Sequence, residues 1–441
     1  MTRQNLRLAL VAIASLGLTA GAGGTLMACI SGEAPRSVQA GSEPASSGSP
    51  RPVTRPVTPP ASVEPEPALP ALRAIAPAQL PTQAGWDGQI WSQDGFASAP
   101  APASKGDRAI LLAAIDHSLR YLNTDKAFKD YAGYPIEGIT RDRVRRSLQR
   151  FRQLLVQSNS AEALQAAVQR EFEFYQSTGQ TGQNDAHFTG YFEPSYRASR
   201  NRTAEYRYPL FAKPANLETW PEPHPDRAAL EGKDGLKFDQ GALKGLELVW
   251  LKSRLEAFLV QVQGSAKLAL TDGSTMSLGY AGRTNYPYVS VGRELVNDDK
   301  FTLEELSLPL MLDFFRDNPQ ALDEYLPRNP RFVFFQSTNG APPTGSLGVP
   351  VLAERSIATD KSLLPPGALA LITTQLPYID GSGQYVKRPV SRFVLDQDTG
   401  GAIKGAGRAD LFMGSGQGAG DRAGLINETG QLYYLMLKDG L

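Results

Sequence analysis

Apolar residues recur at helical spacing in three early stretches of this 441-residue chain. Ile110, Leu111, Ile115, Leu119 and Leu122 predict a helix over 107–122. Val144, Leu148, Phe151 and Leu155 form one stripe of a second helix, 141–156, with Thr140 as its cap. Leu164, Val168, Phe172 and Tyr175 predict a third over 161–175, and Asn159 with Glu162 has capping-box spacing. These stripes read as core. After Gln176 the pattern shortens to strands at 187–191, 206–211, 266–270, 274–280 and 288–291, with Asp272-Gly273 as a hairpin signal. Two helices interrupt them, at 246–261 and 303–316, the second capped by Thr302 with Glu305. Strands at 331–336, 349–353, 368–373, 391–396 and 431–437 make the last third β-rich, with the turn spacing of a small barrel.

The first hundred residues follow other rules. Arg3 and Arg7 precede an apolar run from Leu8 to Ala20, the charged and hydrophobic regions of a secretory signal. The run is shorter than the ~20 residues of a spanning helix. Leu26-Met27-Ala28-Cys29 resembles a bacterial lipobox, in which the cysteine is lipidated and becomes the new N-terminus. By the same resemblance, Ile30 in place of an aspartate favours an outer-membrane destination. Ten of the 33 prolines lie between Pro35 and Pro70, among Ser, Ala and Thr, so this stretch cannot bury enough apolar surface to fold. The expected organisation is a signal and lipobox over 1–29 and a mostly disordered linker over 30–104, within which the pattern leaves open whether Trp86, Ile90 and Trp91 pack on the domain. Helices and the first part of a folded domain follow over 105–193, then further β-rich parts over 194–332 and 333–441.

Lys+Arg and Asp+Glu are equal at 45 each, which removes the basic excess typical of a nucleic-acid binder. Cys29 is the only cysteine, which excludes an intramolecular disulfide framework. His117, His187 and His224 are too scattered for a metal cluster. No metal or cofactor is expected.

The densest chemistry runs from Asp396 to Gly416. Asp396-x-Asp398-x-Gly400 faintly matches a calcium loop, but Gly407 stands where the bidentate glutamate belongs. Gly414-x-Gly416-x-x-Ala419 formally fits a dinucleotide pattern, without the acidic residue that should follow. The third reading is glycosidic chemistry: a carboxylic acid at a strand end, among glycines that let backbone approach a sugar. Asp398 and Asp410 would then be a carboxylate pair in different environments.

Asp398-Thr-Gly-Gly-Ala-Ile-Lys-Gly405 followed by Arg408-Ala-Asp410 resembles the signature of the three-aspartate domain, with Asp360 as the earlier aspartate. Residues 105–441 resemble the membrane-bound lytic murein transglycosylase A family. Further matching blocks are Phe188-Thr-Gly-Tyr-Phe-Glu-Pro194, Val262-Gln-Gly-Ser265, Tyr288-Val-Ser-Val-Gly-Arg293, Asn329-Pro-Arg-Phe-Val-Phe-Phe335 and Ala419-Gly-Asp-Arg-Ala-Gly424. Ala266 stands where the family often has a glycine, and Tyr286 follows Asn285 where a small residue is usual. The resemblance implies a mainly β fold with N-terminal helices. A double-psi β-barrel would hold the aspartates, and a second β-barrel-like domain would be inserted at 194–332, with a groove between them for a glycan strand.

It also implies the reaction: cleavage of the β-1,4 bond between N-acetylmuramic acid and N-acetylglucosamine without water, leaving a 1,6-anhydro ring. Asp410 is expected as acid and then base, with Asp398 as its catalytic neighbour or as the cap of the glycine turn. Thr189, Tyr191 and Glu193 are candidates to contact sugar, Tyr191 by stacking. Asp360 joins the substrate-binding set, although Pro365-Pro366-Gly367 after it reads as turn chemistry. Lys404 and Arg408 are candidates to hold muramic lactyl or peptide carboxylates. His187 reads as structural. The expected partners are peptidoglycan strands and, through Cys29, a membrane; a monomer is expected. Two alternatives stay open: a hydrolase with Glu193 or Asp398 as base for water, and a wall-binding lipoprotein without turnover.

Overall fold

The computed structural model describes residues 70–83, 85–91, 107–180, 182–303, 305–306 and 308–441. The signal, Cys29 and most of the proline-rich linker lie outside the described residues. The strands are β1 (Leu72–Ile75), β2 (Phe172–Ser177), β3 (Ala186–Glu193), β4 (Ser195–Ser199), β5 (Tyr208–Phe211), β6 (Glu247–Leu251) and β7 (Ser265–Leu270). They continue as β8 (Thr275–Arg283), β9 (Val333–Ser337), β10 (Ser356–Ala358), β11 (Leu369–Ile379), β12 (Tyr385–Asp398), β13 (Arg408–Ser415) and β14 (Asn427–Leu437).

Two sheets result. The first runs β14-β11-β12-β10-β13-β3 and closes on itself because β14 also pairs with β3, while β2 and β1 extend outward from β14. Two pairs in the ring, β10–β12 and β13–β3, are parallel; the others are antiparallel. Closure leaves no free edge in the ring. The second sheet runs β5-β6-β4-β7-β8-β9 and closes through a parallel bridge between Ala212 and Phe335. The fold is therefore mainly β with N-terminal helices, one barrel inserted into the chain of another. Only Pro194 separates β3 of the first barrel from β4 of the second. The closing strand of the inserted barrel is Val333–Ser337, so that barrel runs past the expected boundary at 332.

Helices Asp107–Leu122 and Arg141–Gln157 cover the outside of the first barrel, burying Leu111, Ile115, Leu148 and Phe151. This explains β14, whose pattern alternates over its first half and then buries all of Leu432–Leu437: there both faces are covered. The stretch read as linker contributes to this core. Leu72–Ile75 pairs with β2, and Trp86 is fully buried with its ring 5.7 Å from that of Phe174. Asp87 forms a buried ion pair with Arg355, which also holds Asp107 at 2.7 Å.

Several elements differ from their sequence pattern. The third helix ends at Glu171, capped by Ser160 rather than Asn159, and Phe172 begins a strand. Phe172 and Phe174 alternate inward around exposed Glu173, a period of two hidden inside an apparent helical stripe. The expected helix 246–261 splits into β6 and a helix Arg254–Gln263 that starts after the Ser253 cap. The helix expected over 303–316 begins at Leu308, because Pro309 is tolerated only in a first turn. Tyr288–Ser290 is not a strand; Ser290 caps a helix, Val291–Asn297. The run 349–353 makes one bridge, Thr344 with Pro350, where proline withholds a ladder donor.

Candidate active site

β3 and β13 lie side by side in parallel, and their register sets Asp410 beside Thr189. Period-two alternation then puts Thr189 and Tyr191 on one face with Arg408, Asp410 and Phe412. The Thr189 hydroxyl donates to Asp410 Oδ1. The same hydroxyl accepts from Arg408 Nη2 at 2.7 Å, and that nitrogen also lies 2.8 Å from Asp410 Oδ1. One carboxylate oxygen is thus clamped by two donors. Among the described residues Asp410 Oδ2 has no hydrogen-bond partner, and the side chain keeps 10% of its surface exposed. Gly190, between the two site residues of β3, has no substitute: a Cβ there would sit 2.7 Å from Ala423 Cα in the helix packed beneath.

Behind the clamp stands His187. Its Nδ1 lies 3.1 Å from Arg408 Nη1 and its Nε2 2.7 Å from Asn427 Oδ1. Burial, and then the Arg408 charge, push the His187 imidazole below its usual value. The neutral tautomer with the proton on Nε2 satisfies both contacts. His187, read as structural, and Asn427, missed altogether, hold the arginine that holds the catalytic candidate. Alternation along β3 from Thr189 was the signal that could have found His187.

Asp398 faces the same site from β12. Ala358 of β10 pairs with Asp398 on one side and Asp410 on the other, so the two backbones stand two strand spacings, about 10 Å, apart. Asp398 accepts from the Tyr191 phenol at 2.9 Å and from the backbone N–H groups of Ser346 and Thr399, each at 2.8 Å. Burial nevertheless pushes its carboxyl above the usual carboxylate range, outweighing these three donors. Burial and the Asp398 charge hold the Tyr191 phenol well above its usual value, so it stays a donor. One side of the Tyr191 ring leans on Phe412, centroids 5.1 Å apart.

The other candidates are placed differently. Asp360 accepts from Ser362 Oγ at 2.7 Å and from the Gly405 N–H at 3.0 Å. Burial raises its carboxyl, but these bonds and the Lys404 charge bring it below the usual range. It ties the glycine loop to its own turn, and both oxygens are engaged. Asp396 is buried and held by Lys361, Thr359 and Tyr434, an arrangement that presents no oxygen to a calcium ion. Glu193 is buried and accepts from Ser415 Oγ at 2.6 Å, roughly 13 Å of strand beyond Thr189. Lys404 is exposed, whereas Arg408 is buried. Arg408 is engaged with Asp410, which does not suit the substrate-carboxylate role expected for it.

Residues 187–336 match the family model described as the MltA specific insert domain, and residues 355–436 match the 3D domain. Membrane-bound lytic murein transglycosylase A of Escherichia coli (strain K12) is 31% identical over 269 residues, covering 60% of this chain and 70% of the relative. The chain belongs to the membrane-bound lytic murein transglycosylase A family. The Vibrio cholerae member is 33% identical over 261 residues, 58% of this chain and 67% of its own. Among solved family structures, E. coli MltA with bound chitohexaose superposes with a TM-score of 0.58 at 25% identity, over 80% of this chain and 97% of that one. The membrane-bound lytic murein transglycosylase from Agrobacterium tumefaciens, at 24% identity and a TM-score of 0.61, shares the fold over 75% of this chain and 93% of its own. The 3D match spans β10 to β14 and so includes Asp360, Asp398 and Asp410; the insert match spans the second barrel together with Thr189 and Tyr191.

Proposed function

We propose that this chain is a lytic transglycosylase that cleaves the β-1,4 bond between N-acetylmuramic acid and N-acetylglucosamine in peptidoglycan, with Asp410 as its acid and then its base. The observation that carries the reading is the asymmetry of Asp410: Oδ1 clamped by Thr189 and Arg408, Oδ2 without a partner among the described residues. In the first step a proton on Oδ2 passes to the glycosidic oxygen as the C1–O4 bond breaks. The donors on Oδ1 stabilise the carboxylate as it forms, which is where preorganised hydrogen bonds accelerate a reaction. In the second step the carboxylate takes the proton of the muramic 6-hydroxyl while O6 bonds to C1. No water is consumed, and Asp410 ends protonated, as it began.

A hydrolase requires a second carboxylate poised for water or for C1. Glu193 is bonded to Ser415, and Asp398 already accepts from three donors, which weighs against either as that base. Asp398 instead acts through Tyr191 as a positioning residue. A glycan substrate is further supported by the chitohexaose bound to the E. coli relative, a β-1,4-linked N-acetylglucosamine chain. Export and lipid attachment through Cys29 complete the proposal. Among the described residues no helix is long and apolar enough to cross a membrane, and the family name supports membrane attachment. The test is solubilisation of purified sacculi by the protein and by Asp410→Asn. Release by the first and none by the second, with binding to sacculi retained, is expected. Binding without release by either would make the chain a wall-binding protein and overturn the proposal.

A further inference from the structure

Arg331, just before β9, stands at the glycine turn that follows Asp398 in the other barrel, and Arg283, at the end of β8, lies beside it. Arg331 Nη1 lies against Gly401, in the turn that follows Asp398, so closely that a Cβ at position 401 would overlap the guanidinium. Gly401 follows Asp398 by three residue steps, a span of at most about 10 Å. The two guanidiniums converge on one acceptor: the Tyr286 carbonyl takes Arg331 Nε at 2.9 Å and Arg283 Nη1 at 3.4 Å. The Arg331 backbone is pinned, its carbonyl accepting from buried Arg227 at 2.6 Å.

Neither guanidinium has a carboxylate partner among the described residues. The groups acting on Arg331 are Arg283, Tyr280 and Tyr288; together with burial, the Arg283 charge pulls it down to about 10. Lys213, the third cation near Tyr280, already has Glu218. Tyr280 is half exposed, an aromatic face beside the pair. Two like charges held side by side at the edge of an active site cost free energy that an anion between them removes. Guanidinium matches the geometry of a carboxylate.

We propose that Arg283 and Arg331 form a carboxylate-binding subsite that reads an acidic substituent of the glycan strand, either the muramic lactyl carboxylate or a carboxylate of the stem peptide. The inference rests on the peptidoglycan reading above and adds what the enzyme recognises beyond the sugar backbone. It gives to these two arginines the role that the sequence pattern assigned to Lys404 and Arg408.

The test measures binding to the full chain carrying Asp410→Asn, which prevents turnover, with and without Arg283→Gln plus Arg331→Gln. Three probes are used: neutral chitohexaose, glycan strands bearing stem peptides, and strands stripped of peptide so that the lactyl carboxylate is free. The double substitution is expected to weaken an anionic probe by about tenfold or more and to leave chitohexaose within about twofold. Loss on the stripped strand alone identifies the lactyl group; loss on the peptide-bearing strand alone identifies the stem; loss on both means that the subsite takes either carboxylate. Gly401→Ser, which displaces Arg331 without touching its charge, should reproduce the same selectivity. Equal loss on all three probes, or loss on none, overturns the subsite. Failure of the unsubstituted protein to solubilise sacculi is a different result and sinks the reading beneath it.

Discussion

Thr189→Val tests the clamp on Asp410 most cleanly. Valine matches threonine in shape, so the buried position on β3 stays filled while the hydroxyl disappears. Asp410 Oδ1 loses one charge-assisted hydrogen bond but keeps Arg408 at 2.8 Å. Such a bond contributes about 1.5–3 kcal/mol. Arg408 retains Asp410 as an acceptor, so the lower part of that range applies, about 2 kcal/mol. If the bond matters mainly as the carboxylate forms, kcat should fall roughly 30-fold. The assay is the initial rate of soluble fragment release from sacculi at saturating substrate, with Thr189→Ser as the control that restores the hydroxyl. Thermal stability should change little in either variant. A Thr189→Val rate within about twofold of the parent, or a Thr189→Ser rate as low as that of Thr189→Val, would refute the clamp.

Asp87→Ala should destabilise the protein by about 3–5 kcal/mol in urea unfolding, because it leaves the fully buried Arg355 with Asp107 alone; a loss below about 1 kcal/mol would contradict the structural role given to residues 85–91. His187→Gln bears on pH. The folded imidazole is held below its unfolded value of about 6.5, so as pH falls through 6.5 the unfolded chain binds the proton first. Stability is then lost down to the folded value and levels off below it. The groups facing the ring are Arg408, Asn427, Asp410 and Glu428. Glutamine mimics the neutral tautomer, so the variant should keep activity and show a flatter stability profile below pH 6.5. His117, also lowered by burial, leaves a residual slope. An unchanged profile argues against the His187–Arg408 contact. Glu193→Gln should retain most activity, since glutamine can still accept from Ser415; a fall of roughly 10²–10⁴ would restore Glu193 as a base.

The β-rich architecture and the aspartate cluster were legible because both rest on local signals. Asp398 to Asp410 is one glycine-rich run, and β11 and β14 carry the apolar runs Leu369–Ile372 and Leu432–Leu437. Less legible was everything fixed by partners far along the chain. Leu72–Ile75 and Trp86 sit amid a proline-rich composition, and only pairing with β2 and burial against Phe174 make them core. Arg408 looked like a free cation because no spacing rule places Thr189, over 200 residues earlier, beside it; the parallel β3–β13 register does. Asp360 shows the reverse. Turn chemistry was visible after it in Pro365-Pro366-Gly367, and in the structure its carboxylate accepts from Ser362 and Gly405. Phe172–Ser177 failed as a helix because Phe172 and Tyr175, three apart on the apparent stripe, fall on opposite faces of a strand, while the inward period of two runs through Phe172 and Phe174 around exposed Glu173.

Product mass is the most direct test of the central claim. Fragments released from sacculi by the full chain should end in 1,6-anhydromuramic acid, one water lighter than hydrolytic products, and should vanish with Asp410→Asn. Reducing muramic ends from the parent protein, or anhydro ends persisting in Asp410→Asn, would contradict the single-aspartate, water-free mechanism.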